Sequence, residues 1–318
     1  MRNDSPASPA VLYTLCSRCS SLLASGSVVE AGLHPKPGAV TPCRSHEDKG
    51  FHDFALHGAA LAGGLLEACI ASARASPDEA IAEGLEAYRG IMEAFARSSM
   101  VEATNIGLGT ALLMVPLAAA VPRIGGCGSP AELAGEASRI ALSSGPRAAR
   151  AYYRLLSTFR PSHLGRYQGP LPDAGGGDSM GFGLPEVLEA ARWDHVHNEL
   201  LRGYPLTLRA YHLMERITSG GRSLRDAALE ALLVLLATTG DTLIAAKWGF
   251  RAYERALEEA RVALALYKRG RVSLEDALEW LDGLWRPRRW NPGAVLDILG
   301  AALGLIIASK ASRGSTPL

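Results

Sequence analysis

Between Glu30 and Phe54 the sequence concentrates the side chains that can do chemistry. The segment His34-Pro-Lys36-Pro-Gly38 cannot be helical, because two prolines fix φ, remove N–H donors and push the preceding residues toward extended geometry. Lys36 is therefore held on a stiff loop. Arg44, His46, Glu47, Asp48, Lys49, His52 and Asp53 follow it. Such a density of titratable groups suits proton transfer and the binding of anions; the plainer alternative is a solvated, charged turn.

Polar residues inside otherwise apolar helices form a second class, because a buried polar group costs ~1–3 kcal/mol unless it is hydrogen-bonded. Thr104-Asn105-Ile-Gly107 opens the most apolar segment, and its amide either satisfies helix ends or faces a ligand. In Thr239-Gly-Asp241-Thr242 the aspartate stands where a helix begins, a position it fills well as an N-cap, with Lys247 farther along that helix. Asp297 is the acid of the apolar C-terminal stretch that follows Trp290-Asn-Pro-Gly293. Arg192-Trp-Asp194-His195-Val-His197-Asn-Glu199 adds a polar cluster in which His195 and His197 lie on different helix faces, so this helix alone makes a poor two-histidine metal site.

The elements that must position these groups read as helices throughout. Ser76-Pro-Asp-Glu79 and Ser129-Pro-Ala-Glu132 each place a serine cap, a proline at the first helical position and a glutamate three residues after the cap. Ser223…Asp226 and Ser273…Asp276 repeat the pattern with aspartate. Apolar residues then recur at three- and four-residue spacing, and no run alternates like a strand. The pattern predicts an all-α, bundle-like single domain over 1–318, with helices near 9–33, 54–75, 77–97, 103–121, 130–143, 146–158, 185–201, 205–218, 223–239, 241–269, 273–284 and 293–310. A Pro- and Gly-rich loop is expected at 160–184, where Asp173 and Asp178 can bring carboxylates to a site.

Composition narrows the partners. The 318 residues carry 33 basic and 32 acidic side chains, a net charge of +1, with 6% aromatics. Neither the electrostatics nor the stacking surface for nucleic acid is present. Ala103–Pro122 is uncharged and nominally long enough to span a bilayer, but its glycines and proline and the lack of a second such stretch favour a buried helix, so no membrane is expected. The five cysteines are odd in number and no secretory start precedes them. Cys16-x-x-Cys19 is expected as two small residues on a helix face; a zinc site would need Cys43 with His34 or His46 to complete it.

Taken in order, Glu30, Pro35-Lys-Pro-Gly38, Thr104-Asn-Ile-Gly107, Gly240-Asp-Thr242 and Asn291-Pro-Gly293…Asp297 resemble the triphosphoribosyl-dephospho-CoA synthase family over about residues 10–310. Glu47-Asp-Lys-Gly-Phe-His-Asp-Phe54 departs from the Gly-Ala-His-x-Asp-Met element of the citrate lyase and malonate decarboxylase branch, and so resembles a divergent branch. The resemblance implies a cytoplasmic transferase that moves the 5-triphosphoribosyl group of ATP to the 2′-hydroxyl of dephospho-CoA and releases adenine, with Mg²⁺ accompanying ATP. It implies Asp53, Asp48 and Asp241 as catalytic carboxylates and Asp48 and Asp241 as metal ligands. Glu30, Lys36, Gly38, His52, Asn105, Thr242, Lys247 and Asp297 are the implied substrate-binding residues, with Lys36 and Lys247 as phosphate charges. A homodimer is compatible with this. The alternatives are a nucleotide N-glycosidic hydrolase or a related transferase with another acceptor, and a non-catalytic helical binding protein.

Overall fold

The computed structural model describes residues 8–98, 101, 106–161, 171–173 and 181–314. Within them the chain forms fourteen helices and no strand. In order these are α1 (Pro9–Ala31), α2 (Phe51–Ser72), α3 (Pro77–Arg97), α4 (Leu108–Ile124), α5 (Pro130–Leu142), α6 (Pro146–Phe159), α7 (Leu184–Ala190) and α8 (His195–Arg202). They continue as α9 (Pro205–Ser219), α10 (Leu224–Thr239), α11 (Thr242–Trp248), α12 (Phe250–Lys268), α13 (Leu274–Trp285) and α14 (Gly293–Arg313).

Serine caps set several of the starts. The hydroxyls of Ser76, Ser223 and Ser273 accept from the backbone N–H groups of Glu79, Asp226 and Asp276. Ser129 makes no such bond, and Pro130 alone marks that start. Two expected helices are broken. The one over 185–201 divides because Asp194 accepts from the N–H groups of Val196 and His197 and starts α8 afresh. The one over 241–269 divides at Gly249, whose φ of 83° no ordinary side chain adopts easily.

Helix α4 is the hub, buried from Thr110 to Val121 and packed against α1, α2, α3, α5, α6, α8 and α14. Helix α14 joins this group to α9, α10 and α11. It approaches α1 so closely that a Cβ on Gly26 would lie 2.1 Å from the Gly304 nitrogen, and one on Gly304 would lie 2.5 Å from the Leu23 carbonyl oxygen. That contact sets Glu30 of α1 beside the first turns of α14. Sequence inspection found one membrane-length stretch; the structure has two other helices, α2 and α14, that by length and composition could cross a bilayer. Their most apolar windows are 50% and 78% buried against neighbouring helices.

The cysteines depart from expectation. Cys16 is bonded to Cys69 and Cys19 to Cys127, tying α1 to α2 and to the turn after α4, while Cys43 is free and exposed. Cross-links of 53 and 108 residues restrict the unfolded chain, each by about 2–4 kcal/mol. Reduction is therefore expected to lower the denaturant midpoint. Non-reduced peptide mapping should recover the two linked pairs and one alkylated thiol at Cys43; free thiols at Cys16 and Cys19 would contradict this.

Candidate active site

Helices α2, α4, α8, α11 and α14 all begin around one cleft, and α1 and α6 end there. Helix starts present unpaired N–H groups and the positive end of the helix dipole, which favours anions. The cleft encloses about 1100 Å³ with the solvent of its open mouth included. Glu30, Lys36, Lys49, His57, Thr110, Tyr152, Asp194, His197, Lys247, Asn291 and Asp297 line it.

The Pro-Lys-Pro-Gly loop is one wall, and its lysine is turned inward. Lys36 is 2% exposed and its ammonium donates to the Glu30 carboxylate at 2.7 Å, the Glu30 carbonyl at 2.8 Å and the Ala31 carbonyl at 3.5 Å. Burial lowers its pKa against the pull of Glu30. Its three donors are used, so it holds the loop to α1 rather than standing ready for a phosphate. Gly38 is equally structural: its N–H donates to Asp282 at 2.7 Å, its φ is +64°, and a Cβ would lie 1.8 Å from the Trp290 carbonyl oxygen.

The expected catalytic aspartates are placed differently. One Asp53 oxygen accepts the Gly50 N–H at 2.7 Å, the other lies 3.2 Å from His52, and the residue caps α2 outside the cleft lining. The His52 side chain is 72% exposed and also lies off the lining. Asp48 is exposed beside Lys49, 3.8 Å away. Asp241 is 1% exposed, and its two oxygens accept the N–H groups of Ile244 at 3.0 Å and Val295 at 2.8 Å, so it staples the starts of α11 and α14. Burial pushes its pKa to about 7. Asn105 and Asp178 lie outside the described residues.

Asp297 does reach the cleft. One of its oxygens accepts from the Thr110 hydroxyl and the other packs over Gly109, where a Cβ would come within 2.2 Å of it. Burial, together with the charges of Glu30, Asp194 and Asp241, pushes its pKa to about 7, with the Thr110 bond acting the other way. Asp194 is its opposite. Burial would raise it, but His197, Thr242 and backbone N–H groups hold it at about 2. Thr242 thus serves the site indirectly, donating to Asp194 at 2.9 Å while accepting the His195 N–H at 3.1 Å. Carboxylates with pKa values pushed apart in one cleft suit different roles.

Lys247 and Lys49 supply the positive side of the lining. Desolvation and then the Lys49 ammonium lower the pKa of Lys247, while Asp48 and Asp241 oppose this. A lysine whose charge is disfavoured by desolvation and by a neighbouring ammonium is stabilised by an anion bound against it. His57 completes the far wall. Tyr88 donates to the Ile106 carbonyl at 3.0 Å, so the Nδ1–H of His57 donates to Tyr88 at 2.8 Å and Nε2 is left as an acceptor. Among the described residues Nε2 has no partner, and burial lowers the ring to about 4, keeping it neutral.

Tyr152 and His57 reach the site with no signal in the sequence, and Lys49, Asp194 and His197 stand in noted polar segments without a mark that sets them in the cleft. Asp194 and His197 stood in a noted polar cluster, but nothing in spacing signals that Tyr152 meets them. Of the two implied Mg²⁺ ligands, Asp241 already accepts one backbone N–H at each oxygen, and Asp48 is exposed beside Lys49. Among the described residues no group of three or more metal-ligating side chains is assembled.

An all-α fold with an acid- and lysine-lined cleft at converging helix starts defines a helical enzyme for an anionic substrate. The family model for ATP:dephospho-CoA triphosphoribosyl transferase (CitG) matches residues 16–315, and the chain belongs to that family of transferases. A crystal structure from Archaeoglobus fulgidus, described as a candidate triphosphoribosyl-dephospho-CoA synthase, shares the fold. It superposes with a TM-score of 0.54 at 19% identity, covering 79% of this chain and 97% of that one. No curated protein matches the sequence.

Proposed function

We propose that the cleft binds ATP with its triphosphate at Lys49 and Lys247 and its ribose over Asp194 and Asp297, and transfers the triphosphoribosyl unit to the 2′-hydroxyl of dephospho-CoA. The observation that carries this reading is one lining that holds Lys49 and Lys247 together with carboxylates of opposed pKa, Asp194 and Asp297. Substitution at the anomeric carbon develops oxocarbenium-like charge, which a fixed carboxylate stabilises. Asp194, ionised at any physiological pH, supplies that field. Asp297, with a pKa near the working pH, suits the base that takes the proton of the attacking hydroxyl.

Mg²⁺ would travel with the triphosphate on phosphate oxygens and water, with Asp48 the exposed carboxylate beside the lysines. No protein step passes through it. ATP and dephospho-CoA as substrates would suit a cytoplasmic enzyme, and a homodimer is compatible with this reading.

The test is chromatographic detection of adenine from ATP and Mg²⁺, with and without dephospho-CoA. The expected result is adenine only when dephospho-CoA is present, together with a coenzyme adduct heavier by a triphosphoribosyl unit. Adenine without acceptor would make the protein a hydrolase. Lys49→Ala and Lys247→Ala are each expected to raise the KM for ATP about tenfold or more, the loss of a charge-assisted phosphate contact of ~1.5–3 kcal/mol. An unchanged KM in both would remove the triphosphate from this position.

A further inference from the structure

We propose that Tyr152 is the catalytic acid that protonates adenine as it departs, recharged by His197, with Asp194 as the positioning residue. The inference rests on the triphosphoribosyl transfer proposed above. Its basis is a continuous chain of side chains that reaches from the start of α8 to the cleft wall on α6. His197 Nδ1 lies 2.9 Å from an Asp194 oxygen, and His197 Nε2 lies 2.9 Å from the Tyr152 hydroxyl. All three residues line the cleft.

Donor and acceptor roles follow from the charges. Asp194 is ionised and only accepts, so Nδ1 of His197 carries a proton. Asp194 is itself fixed on all sides, by the N–H groups of Val196 and His197 and by the Thr242 hydroxyl. It therefore sets the ring orientation and aims Nε2 at the Tyr152 hydroxyl. When His197 is protonated, Nε2–H donates to the Tyr152 oxygen, and the phenol proton is released to point at a ligand. Tyr152 is 3% exposed, and burial holds its proton firmly. It gives that proton up only as another arrives from His197.

The step balances on this basis. The bond from the anomeric carbon to the adenine nitrogen breaks, its electron pair goes to the purine, and the 2′-oxygen of dephospho-CoA bonds to that carbon. The Tyr152 proton passes to a purine ring nitrogen while the Nε2 proton of His197 passes to the Tyr152 oxygen. His197 ends neutral, Asp297 ends with the proton of the 2′-hydroxyl, and exchange of one proton each with solvent resets both. The other carboxyl groups of the lining are unsuited to the acid role: Asp194 is ionised, Glu30 is held by Lys36, and Asp297 is required as a base.

The plainer account of the same bonds is a clamp that holds α8 on α6, and the experiment separates the two. Tyr152→Phe keeps the ring and removes the hydroxyl. Turnover is measured with dephospho-CoA on ATP and on a ribose 5-triphosphate whose leaving group is p-nitrophenolate, which departs without a proton. The expected result is a loss of roughly 10²–10⁴-fold on ATP and a change within about threefold on the nitrophenyl compound. His197→Gln should show the same selectivity, and His197→Ala should be partly rescued on ATP by added imidazole. Equal losses on both substrates would overturn the proposal in favour of the clamp. Wild-type protein that releases adenine without acceptor, or not at all, would instead overturn the reaction on which it rests. Should the wild type not turn over the nitrophenyl compound, Tyr152→Phe decides on ATP alone: a fall in kcat with unchanged ATP affinity and melting temperature supports the acid, and parallel losses in all three overturn it.

Discussion

Replacing Asp297 with asparagine is expected to abolish transfer while making the protein more stable above neutral pH. The carboxyl group lies in the wall of the cleft with a pKa of about 7, against 3.8 for the free group. Between those values the folded state holds a proton that the unfolded state has lost, so stability falls as pH rises from about 4 to 7. Each tenfold gain in proton affinity is worth about 1.4 kcal/mol, which puts the cost of ionising Asp297 at up to about 4 kcal/mol by pH 8, shared with the Glu30, Asp194 and Asp241 charges that raise it. Asparagine keeps the oxygen that accepts from Thr110 and carries no charge. Asp297→Asn should therefore melt above the wild type at pH 8 and together with it at pH 4. Turnover should fall by roughly 10²–10⁴-fold, as for loss of a general base. A variant that retains activity would remove Asp297 from the chemistry, and one that is less stable at pH 8 would refute the raised pKa.

Asp241→Asn is the informative contrast. Its pKa is also raised to about 7, yet both of its oxygens accept backbone N–H groups at the starts of α11 and α14. An amide in its place turns an NH₂ toward one of those donors, and losing a cap costs about 0.5–2 kcal/mol. Similar pKa values thus conceal different functions, and only the partners of each oxygen tell them apart.

The same distinction explains which parts of the site the sequence disclosed. Local rules were legible: the serine caps at Ser76, Ser223 and Ser273, the extended Pro-Lys-Pro-Gly loop, and an aspartate at 297 too deep in an apolar helix to be idle. Asp53 was misplaced because a carboxylate three residues after a glycine start satisfies the backbone in its own turn. Lys36 was misplaced because rigidity of the loop says nothing about which way the side chain turns; it turns back to α1, and Lys49 lines the cleft instead. Tyr152 and His197 are 45 residues apart on different helices. The disulfides join residues 53 and 108 positions apart, and no spacing along one chain encodes such meetings. The break before α8, which delivers Asp194, was hidden by apolar periodicity that continues across it.

Lys36→Met is expected to destabilise the protein by about 3–5 kcal/mol, because it leaves the Glu30 carboxylate buried without its cation. Removing both charges together is different. Glu30→Gln with Lys36→Met exchanges an ion pair for neutral groups of similar size, and the double variant should recover to near wild-type stability. Its urea midpoint, set beside those of the two single variants, gives the coupling energy directly. The double variant also tests how α1 acts on the chemistry. The Glu30 charge is one of those that raise Asp297, so its loss should move the acid limb of the pH–rate profile to lower pH. ATP affinity should change little, since the triphosphate is assigned to Lys49 and Lys247. Should Lys36→Met instead weaken ATP binding with its midpoint unchanged, Lys36 would be the phosphate ligand, and its buried bonds to Glu30 would have to open when substrate arrives.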